Sequence, residues 1–296
     1  MQLHMQADGM KPKTLVVLMT IILVSNFFIT LNYIENSKAD VLPKFYVDND
    51  YDSSTPGWQV DHFDSIQDAI DVSAPGDRIV VYAGTYSETI TIPHKLDLFG
   101  EDKTLTTITG SDSGNRITIS ASNVNISHFT IQNCGSLATN AVIVIYSGNT
   151  LITDNIIQSG AKHGIYINNC DDNTIYDNII GGTSSNRNSG NGIYFNHSNR
   201  NEITYNSIFG NLNNGLFLYN SSNNTIQNNA GFYSNSLNGI FLNETCNYNS
   251  IKNNVIYSNS KNGIFLNDHC NYNTISTVNI YSNSNSGIRL ENSSSN

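Results

Sequence analysis

Charge is scarce in this chain, and what there is leans negative. Of 296 residues 13% are charged, and 24 Asp and Glu against 14 Lys and Arg leave a net charge of -10 and a pI near 4.9. Nucleic-acid binders neutralise phosphates with a basic stripe, so nucleic acid is not an expected partner. The four cysteines fit an exported protein but do not define a disulfide framework. All four methionines lie at or before Met19, and His62, His94, His128, His163, His197 and His269 form no ligand-spaced cluster. The soft donors of a transition-metal site therefore do not converge, and no metal ligand is assigned.

What is abundant is Asn, Ser, Thr and Tyr, crowded into the second half. Asn-rich tracts without apolar residues fail to bury a core. Here Ile, Leu and Phe interrupt the Asn at regular intervals, so a core is available. Six Asn-x-Ser/Thr sequons, at Asn125, Asn196, Asn220, Asn223, Asn243 and Asn292, carry little weight in so Asn-rich a chain.

The N-terminus reads as an export signal. Lys11 and Lys13 precede an apolar run over 14–31, and Ser37-Lys38-Ala39 offers small residues at the positions a signal peptidase reads. The run also nearly reaches the length of a membrane anchor, roughly 18 residues. Residues 1–39 are thus expected to be a cleaved signal or an uncleaved anchor, and this segment is the only expected contact with a membrane. Residues 40–62 read as a linker or entry segment, and Asp48-Asn49-Asp50-Tyr51-Asp52 within them lacks the glycine and distal glutamate of an EF-hand loop.

A repeat organises the rest. Gly215, Gly239, Gly263 and Gly287 lie 24 residues apart, and Asn211, Asn235, Asn259 and Asn283 keep the same step. Each unit reads Asn-Gly-Ile-Phe-Leu, a polar turn, Asn-Thr-Ile, a second turn, then Ile-Tyr-Ser-Asn; earlier copies start at Gly164 and Gly192. The apolar stretches span three or four residues with period two, which suits short strands and not helices. Three short strands per repeat make one coil of a solenoid, stacked at roughly 4.8 Å on the next. Equivalent Asn side chains then lie above one another and can hydrogen-bond along a ladder, and Asn tolerates the left-handed backbone of tight turns. From Gly215 to Ile226 there are 11 steps and from Gly239 to Ile251 there are 12, while the following segment shortens from 13 to 12. A closed coil requires that compensation.

The expected fold is all-β, a right-handed single-stranded parallel β-helix over 63–296. Ser65-Ile66-Gln67-Asp68-Ala69-Ile70 reads as a short capping helix with Ser65 as N-cap and Asp68 in the capping-box position. A helix there can cover the open first coil. No capping element is expected after the coil that begins at Gly287.

The run from Ser65 to Gly110, with Pro75-Gly76-Asp77-Arg78-Ile79, Gly84-Thr85-Tyr86-Ser87-Glu88 and Leu98-Phe99-Gly100-Glu101-Asp102, resembles the opening of the pectin-lyase-like superfamily. The Asn-Gly-Ile and Asn-Thr-Ile repeats resemble NosD-type β-helix proteins and bacterial or archaeal surface proteins. The resemblance covers about residues 60–296. It implies a cell-surface, periplasmic or secreted protein, acting as a scaffold or a carbohydrate-binding surface. Its alternatives are a polysaccharide lyase, hydrolase or epimerase, and a periplasmic copper-related accessory protein; fold alone does not choose.

Two sets of candidate residues follow. In the Gly-led strands Ile165/Ile167, Leu216/Leu218, Ile240/Leu242 and Ile264/Leu266 should face inward, leaving Tyr166, Tyr194, Phe217, Phe241, Phe265 and finally Arg289 outward. Phe209, Tyr233, Tyr257 and Tyr281 form a second outward column. Aromatic faces suit sugars, and a polysaccharide or cell-surface glycan is the expected partner; stacked rings also simply stabilise neighbouring strands. Catalysis should show as departures from the repeat, which gather between Asp154 and Arg187: Asp154 and Asp177 in matching positions, Lys162-His163 before Gly164, and the turn Asp171-Asp172. Asp154, Asp177 and His163 are the catalytic candidates. Paired carboxylates can divide acid and base roles, or hold a hard cation such as Ca²⁺. No cofactor is otherwise assigned. Cys246 and Cys270, 24 apart, should stack as a disulfide or as turn filling.

Overall fold

The structure, a computed structural model, describes residues 42–111 and 113–296; the apolar run 14–31 and the triplet 37–39 lie outside them. Among the described residues no helix is long and apolar enough to cross a membrane.

The chain from Pro43 onward winds as a right-handed parallel β-solenoid of about nine turns, with one short helix, α1 (Ile66–Val72). Three sheets run along it, of 11, 9 and 9 strands. One coil shows the plan: Leu151–Thr153 lies in the first sheet, Ile156–Gly160 in the second and His163–Asn168 in the third. Each strand pairs in parallel with its equivalent one coil away, as Ile152 with Ile175 and Ile165 with Ile193. Alternation sends one set of side chains into a continuous core. Ile165, Ile167, Leu216, Leu218, Ile240, Leu242, Ile264 and Leu266 are all wholly buried, as the sequence requires. In the last coil Ile288 and Leu290 are exposed.

The turns are sealed by asparagine. Asn155, Asn178, Asn206, Asn229 and Asn254 stack between the first and second sheets, and all are buried. In Asn178, Asn206, Asn229 and Asn254 the Oδ1 accepts both the backbone N–H and the side-chain amide of the Asn one coil before, at 2.9 and 3.1 Å for Asn178 to Asn206. The Oδ1 of Asn155 accepts from the Phe129 N–H. The Nδ2 of Asn178 also donates to the carbonyls of Ile152 and Tyr176, at 2.8 and 3.0 Å. A second ladder runs Asn173, Asn201, Asn224, Asn249, Asn273, and a third Asn188, Asn211, Asn235, Asn259, Asn283. A buried turn without such partners would strand its polar groups at about 1–3 kcal/mol each. The turn residues beside the ladders sit in the left-handed region, among them Asn228 (φ 56°) and Asn253 (φ 54°), a conformation Asn accepts at low cost. The glycine repeat has another cause. A Cβ on Gly215 would lie 2.7 Å from the Gly239 carbonyl and 2.8 Å from the Asn235 amide, so the close approach of coils excludes any larger residue.

The coil-length compensation also appears. Leu216 pairs with Ile240 and Ile226 with Ile251, both in register, so the extra residue between these strands is absorbed in the turn at Glu244-Thr245, both left-handed.

The N-terminal end departs from expectation in two ways. The solenoid does not wait for residue 63: Phe45–Val47 pairs in parallel with Arg78–Val81, so the segment read as a linker supplies a strand of the first sheet. Asp48–Asp52 is accordingly a turn on that sheet, with Asp50 N–H donating to Asp48 Oδ1 and Tyr51 packed on His62. The helix cap is also more than a local box. Ser65 Oγ accepts from Asp68 N–H at 3.3 Å, but Glu88, just past the strand Gly84–Ser87, takes the N–H groups of Ile66 and Gln67, both at 2.9 Å. Ile66, Ala69 and Ile70 of α1 are buried in the core.

Replacing Asn235 by Ala should lower unfolding free energy by about 2–4 kcal/mol, because it orphans two groups of Asn211 and removes the bonds to Asn259 and Ile208. Asn213→Ala, at a half-exposed turn position, should change it by less than about 0.5 kcal/mol. Urea denaturation of both variants checks the difference.

Candidate functional site

The aromatic column of the third sheet is in register. Tyr166 pairs with Tyr194, then Phe217, Phe241, Phe265 and Arg289 follow in order. Successive ring centroids are 5.0, 5.0, 5.1 and 4.9 Å apart, and the interplanar angle falls from 28° to 8° along the column. The second column, Phe209, Tyr233, Tyr257 and Tyr281, is tighter, at 4.8, 4.8 and 5.0 Å and within 7° of parallel. This geometry changes what the columns can do. Ring faces, the surfaces a sugar would stack on, are covered by neighbouring rings, and only edges look outward. Tyr166 is itself buried, packed with Ala141 and Val144, and the Arg289 guanidinium closes the far end 5.2 Å from Phe265. The columns stabilise the sheet.

Beside the third-sheet column the surface sinks into a hollow of about 290 Å³. Leu237 and the edges of Phe241 and Phe265 form its apolar wall, and Lys261, Asn285 and Arg289 surround them. Arg289 is held by Glu291. The sequence showed the column but not this depression, which arises where residues from the turn and the sheet of successive coils meet.

The catalytic candidates separate. Asp154 and Asp177 occupy equivalent left-handed turns of adjacent coils between the first and second sheets. Asp154 does not stand free. Lys103 Nζ takes its Oδ1 and His128 Nε2 lies 3.1 Å from its Oδ2, and each of the three side chains is about 30% exposed. Asp177 is more open. Burial and then the charge of Asp154 raise its carboxyl above the usual range, with Lys103 opposing. Lys103 and His128 were missed as site residues, since Lys103 lies 51 positions before Asp154 in a stretch without the repeat. One signal was available: His128 stands at the turn position that Asp154 and Asp177 hold in the next two coils.

His163 belongs elsewhere, to the turn before the third sheet. It is 3% exposed and replaces a ladder asparagine: its Nδ1 accepts from Asn191 N–H at 3.1 Å, so Nε2 carries the proton toward the Ala138 carbonyl at 3.2 Å. The ladder continues to Asn214, Asn238 and Asn262. Burial, then the charge of Lys162, push the imidazole down from 6.5 to about 4.

The acidic turn Asp171-Asp172 is bridged by Arg200 of the next coil, at 3.1 and 2.9 Å, and this pairing lowers the Asp172 carboxyl. Arg187 ends a short turn, Ser184–Asn186, with its Nε buried and unbonded. Cys246 and Cys270 are free thiols. They are rungs of a ladder that runs Cys170, Ser198, Ser221, Cys246, Cys270, Ser293, in which sulfur substitutes for a hydroxyl. Burial raises the Cys246 thiol.

Comparison with known proteins places this geometry. The family described as periplasmic copper-binding protein (NosD) matches residues 70–230, more than half of the chain, and the right handed beta helix region matches 182–296. The protein belongs to the NosD family of right-handed β-helix proteins, a periplasmic family by its description. Similar solved structures are the pectate lyase Pel9A (14% identity, 88% of this chain and 80% of that one, TM-score 0.61) and the A-module of the Azotobacter vinelandii mannuronan C-5 epimerase AlgE4 (16%, 74% and 73%, 0.52). A third is the enzymatically active domain of bacteriophage CBA120 tailspike protein 2 (13%, 77% and 38%, 0.55). At these identities the likeness is one of fold. No curated protein matches the chain in sequence.

The family description implies copper, and the donor set does not fit it. Among the described residues no group of three or more His, Cys, Asp or Glu converges on a metal position. The stacked thiols are committed to their ladder. Asp154 is engaged by Lys103 and His128, and Asp171-Asp172 by Arg200.

His163 gives a pH signature. Its folded pKa lies below its unfolded value, so the unfolded chain binds the proton first. Stability is fully present above pH 6.5 and is lost as pH falls toward 4, by roughly 3 kcal/mol. His163→Asn, which restores a ladder residue, should remove this loss when denaturation midpoints are compared at pH 7 and pH 4.5.

Proposed function

We propose that this protein is an exported β-helix that binds acidic polysaccharide at its surface, in the hollow beside Phe241 and Phe265. The observation that carries this reading is the hollow's lining, in which Leu237 and the edges of Phe241 and Phe265 stand among polar side chains that include Lys261, Asn285 and Arg289. In a chain of net charge -10, two of those groups are cations, Lys261 and Arg289. That is the chemistry for a sugar carboxylate or sulfate, with the Phe edges and Leu237 against the ring's C–H faces. The family is periplasmic by description, and two of the similar structures are named for polysaccharides, pectate lyase and mannuronan epimerase; both support export and a glycan partner. The N-terminal segment 1–39 is the signal or anchor in this reading. The remainder of the solenoid serves as a stiff scaffold, because its aromatic faces are used within the columns.

Binding of the full chain to immobilised pectate or alginate, against a neutral glucan, tests the proposal. The acidic polymers should bind more tightly, and affinity should fall as salt rises. Lys261→Gln with Arg289→Gln should weaken binding about tenfold and flatten the salt dependence. Phe217→Ala, in the same column but outside the hollow, should lower stability by about 1–2 kcal/mol and leave affinity unchanged. Equal binding of neutral and acidic polymers, or an unaffected double variant, would sink the proposal.

A further inference from the structure

The turn that leads from the third sheet back to the first carries one ladder side chain per coil, and two consecutive rungs are cysteines. The row runs Cys170, Ser198, Ser221, Cys246, Cys270 and Ser293. The ladder does not itself ask for sulfur. Ser198, Ser221 and Ser293 fill the rung and also donate their hydroxyls to local carbonyls, at 2.9, 2.8 and 2.9 Å. A thiol is a weak donor and a weak acceptor, so serine makes these bonds better. Cys170 is followed by Ser198, and Cys134 lies in a second-sheet strand, Thr130–Cys134. Cys246 and Cys270 are the pair that the coils stack.

Their register is fixed on both sides. Asn243 pairs with Asn267 before them and Ser250 with Thr274 after them, both steps of 24, so the two turns match residue for residue. Neighbouring coils are roughly 4.8 Å apart, inside the range of about 4.4–6.8 Å that the Cα atoms of disulfide-bonded cysteines span. The side chains also meet. The Cys246 thiol lies within hydrogen-bonding reach of the Cys270 sulfur, which accepts from the Cys246 N–H as well.

We propose that Cys246 and Cys270 are a modification site, oxidised by an external disulfide to a cross-link between adjacent coils. Cys270 attacks first. The hydrogen bond from Cys246 holds its thiol below the usual range, and the thiolate is the attacking species. Its sulfur bonds to one sulfur of the external disulfide as that S–S bond breaks, and the departing thiolate takes up the proton that Cys270 gave up. Cys246 then loses its proton and attacks Cys270 Sγ, releasing the second external thiol. Two electrons leave the cysteine pair, and one external disulfide becomes two thiols. The bonded sulfurs still accept from the Ser221 and Cys246 N–H groups, so the ladder survives. What is given up is the pair of S–H bonds to the Asn243 and Asn267 carbonyls, at 3.2 and 3.0 Å. Both cysteines are wholly buried, so exchange takes place before the coils close or during their local opening.

The cross-link ties Ile240–Asn243 to Ile264–Asn267, the strands that carry Phe241 and Phe265 in the wall of the hollow. Disulfides persist in oxidising compartments, so the setting rests on the export proposed above, whereas the chemistry of the pair does not.

The full chain is unfolded in urea and refolded either in a glutathione buffer rich in the disulfide or with dithiothreitol. Oxidative refolding should remove two of the four thiols. A tryptic digest should then join peptides 201–252 and 262–289 through a reducible bond. The oxidised form should melt about 5 °C above the reduced one. Cys246→Ser with Cys270→Ser, which puts the ladder's serine in both rungs, should fold and melt within about 2 °C of the reduced parent. That variant should show no redox difference. Four thiols in the oxidatively refolded chain, a link made by Cys134 or Cys170, or the same redox difference in the double variant would overturn the proposal. These readouts are covalent and thermal, so a failure of export or of polysaccharide binding leaves them unmoved.

Discussion

The amide ladder is the interaction on which everything else in this molecule depends. A parallel solenoid turns its backbone three times per coil, and each turn buries N–H and C=O groups that no strand pairing satisfies. Asn meets that need because its side chain is both acceptor and donor at a fixed spacing. In Asn178, Asn206 and Asn229 one oxygen takes two N–H groups from the coil before, and one NH₂ group serves the next oxygen and the local carbonyls. No charge is required, which is why a chain so poor in Lys, Arg, Asp and Glu still builds a long, ordered body. His163 and the Cys and Ser rungs show how far the rule stretches: any side chain that accepts from the next N–H holds the place.

A body satisfied so fully by repetition leaves its chemistry at the places where repetition fails. The aromatic columns illustrate the positive case. Their faces are spent on one another, so their length does not make a long sugar-binding strip. What is left over is local: a hollow where a turn and a column meet, and an edge where Lys103, His128, Asp154, Asp177 and Tyr205 replace small polar turn residues. The two places differ in character. One is a mixed apolar and polar depression that includes two cations; the other is a row of polar and charged side chains along a turn edge.

Much of the fold was readable because its period was. The glycine step announced the coil length, the alternation at Ile240 and Leu242 gave the inward face, and the matched lengthening and shortening around Ile251 gave closure. The start of the solenoid was not readable, because Phe45–Val47 is a single short strand whose pairing with Ile79 is decided by contacts far along the chain. Glu88 as the cap of α1 was hidden for the same reason. Of the candidate positions, the equivalence of Asp154 and Asp177 was legible because they match each other in the repeat; the ladder place of His163 was not, since its partner Asn191 lies one coil on.

By itself the sequence determined the coil: its length, its three strands, which side chains point inward, and the asparagines that hold the turns. These follow from spacing, since every partner lies one period away. Only the tertiary structure decided which departures from the period come together. Lys103 reaches Asp154 across an intervening coil, and the hollow at Phe265 is shaped by residues from several turns. Such groupings depend on side-chain reach and on the exact stacking of unequal coils, which a repeat of 24 does not encode.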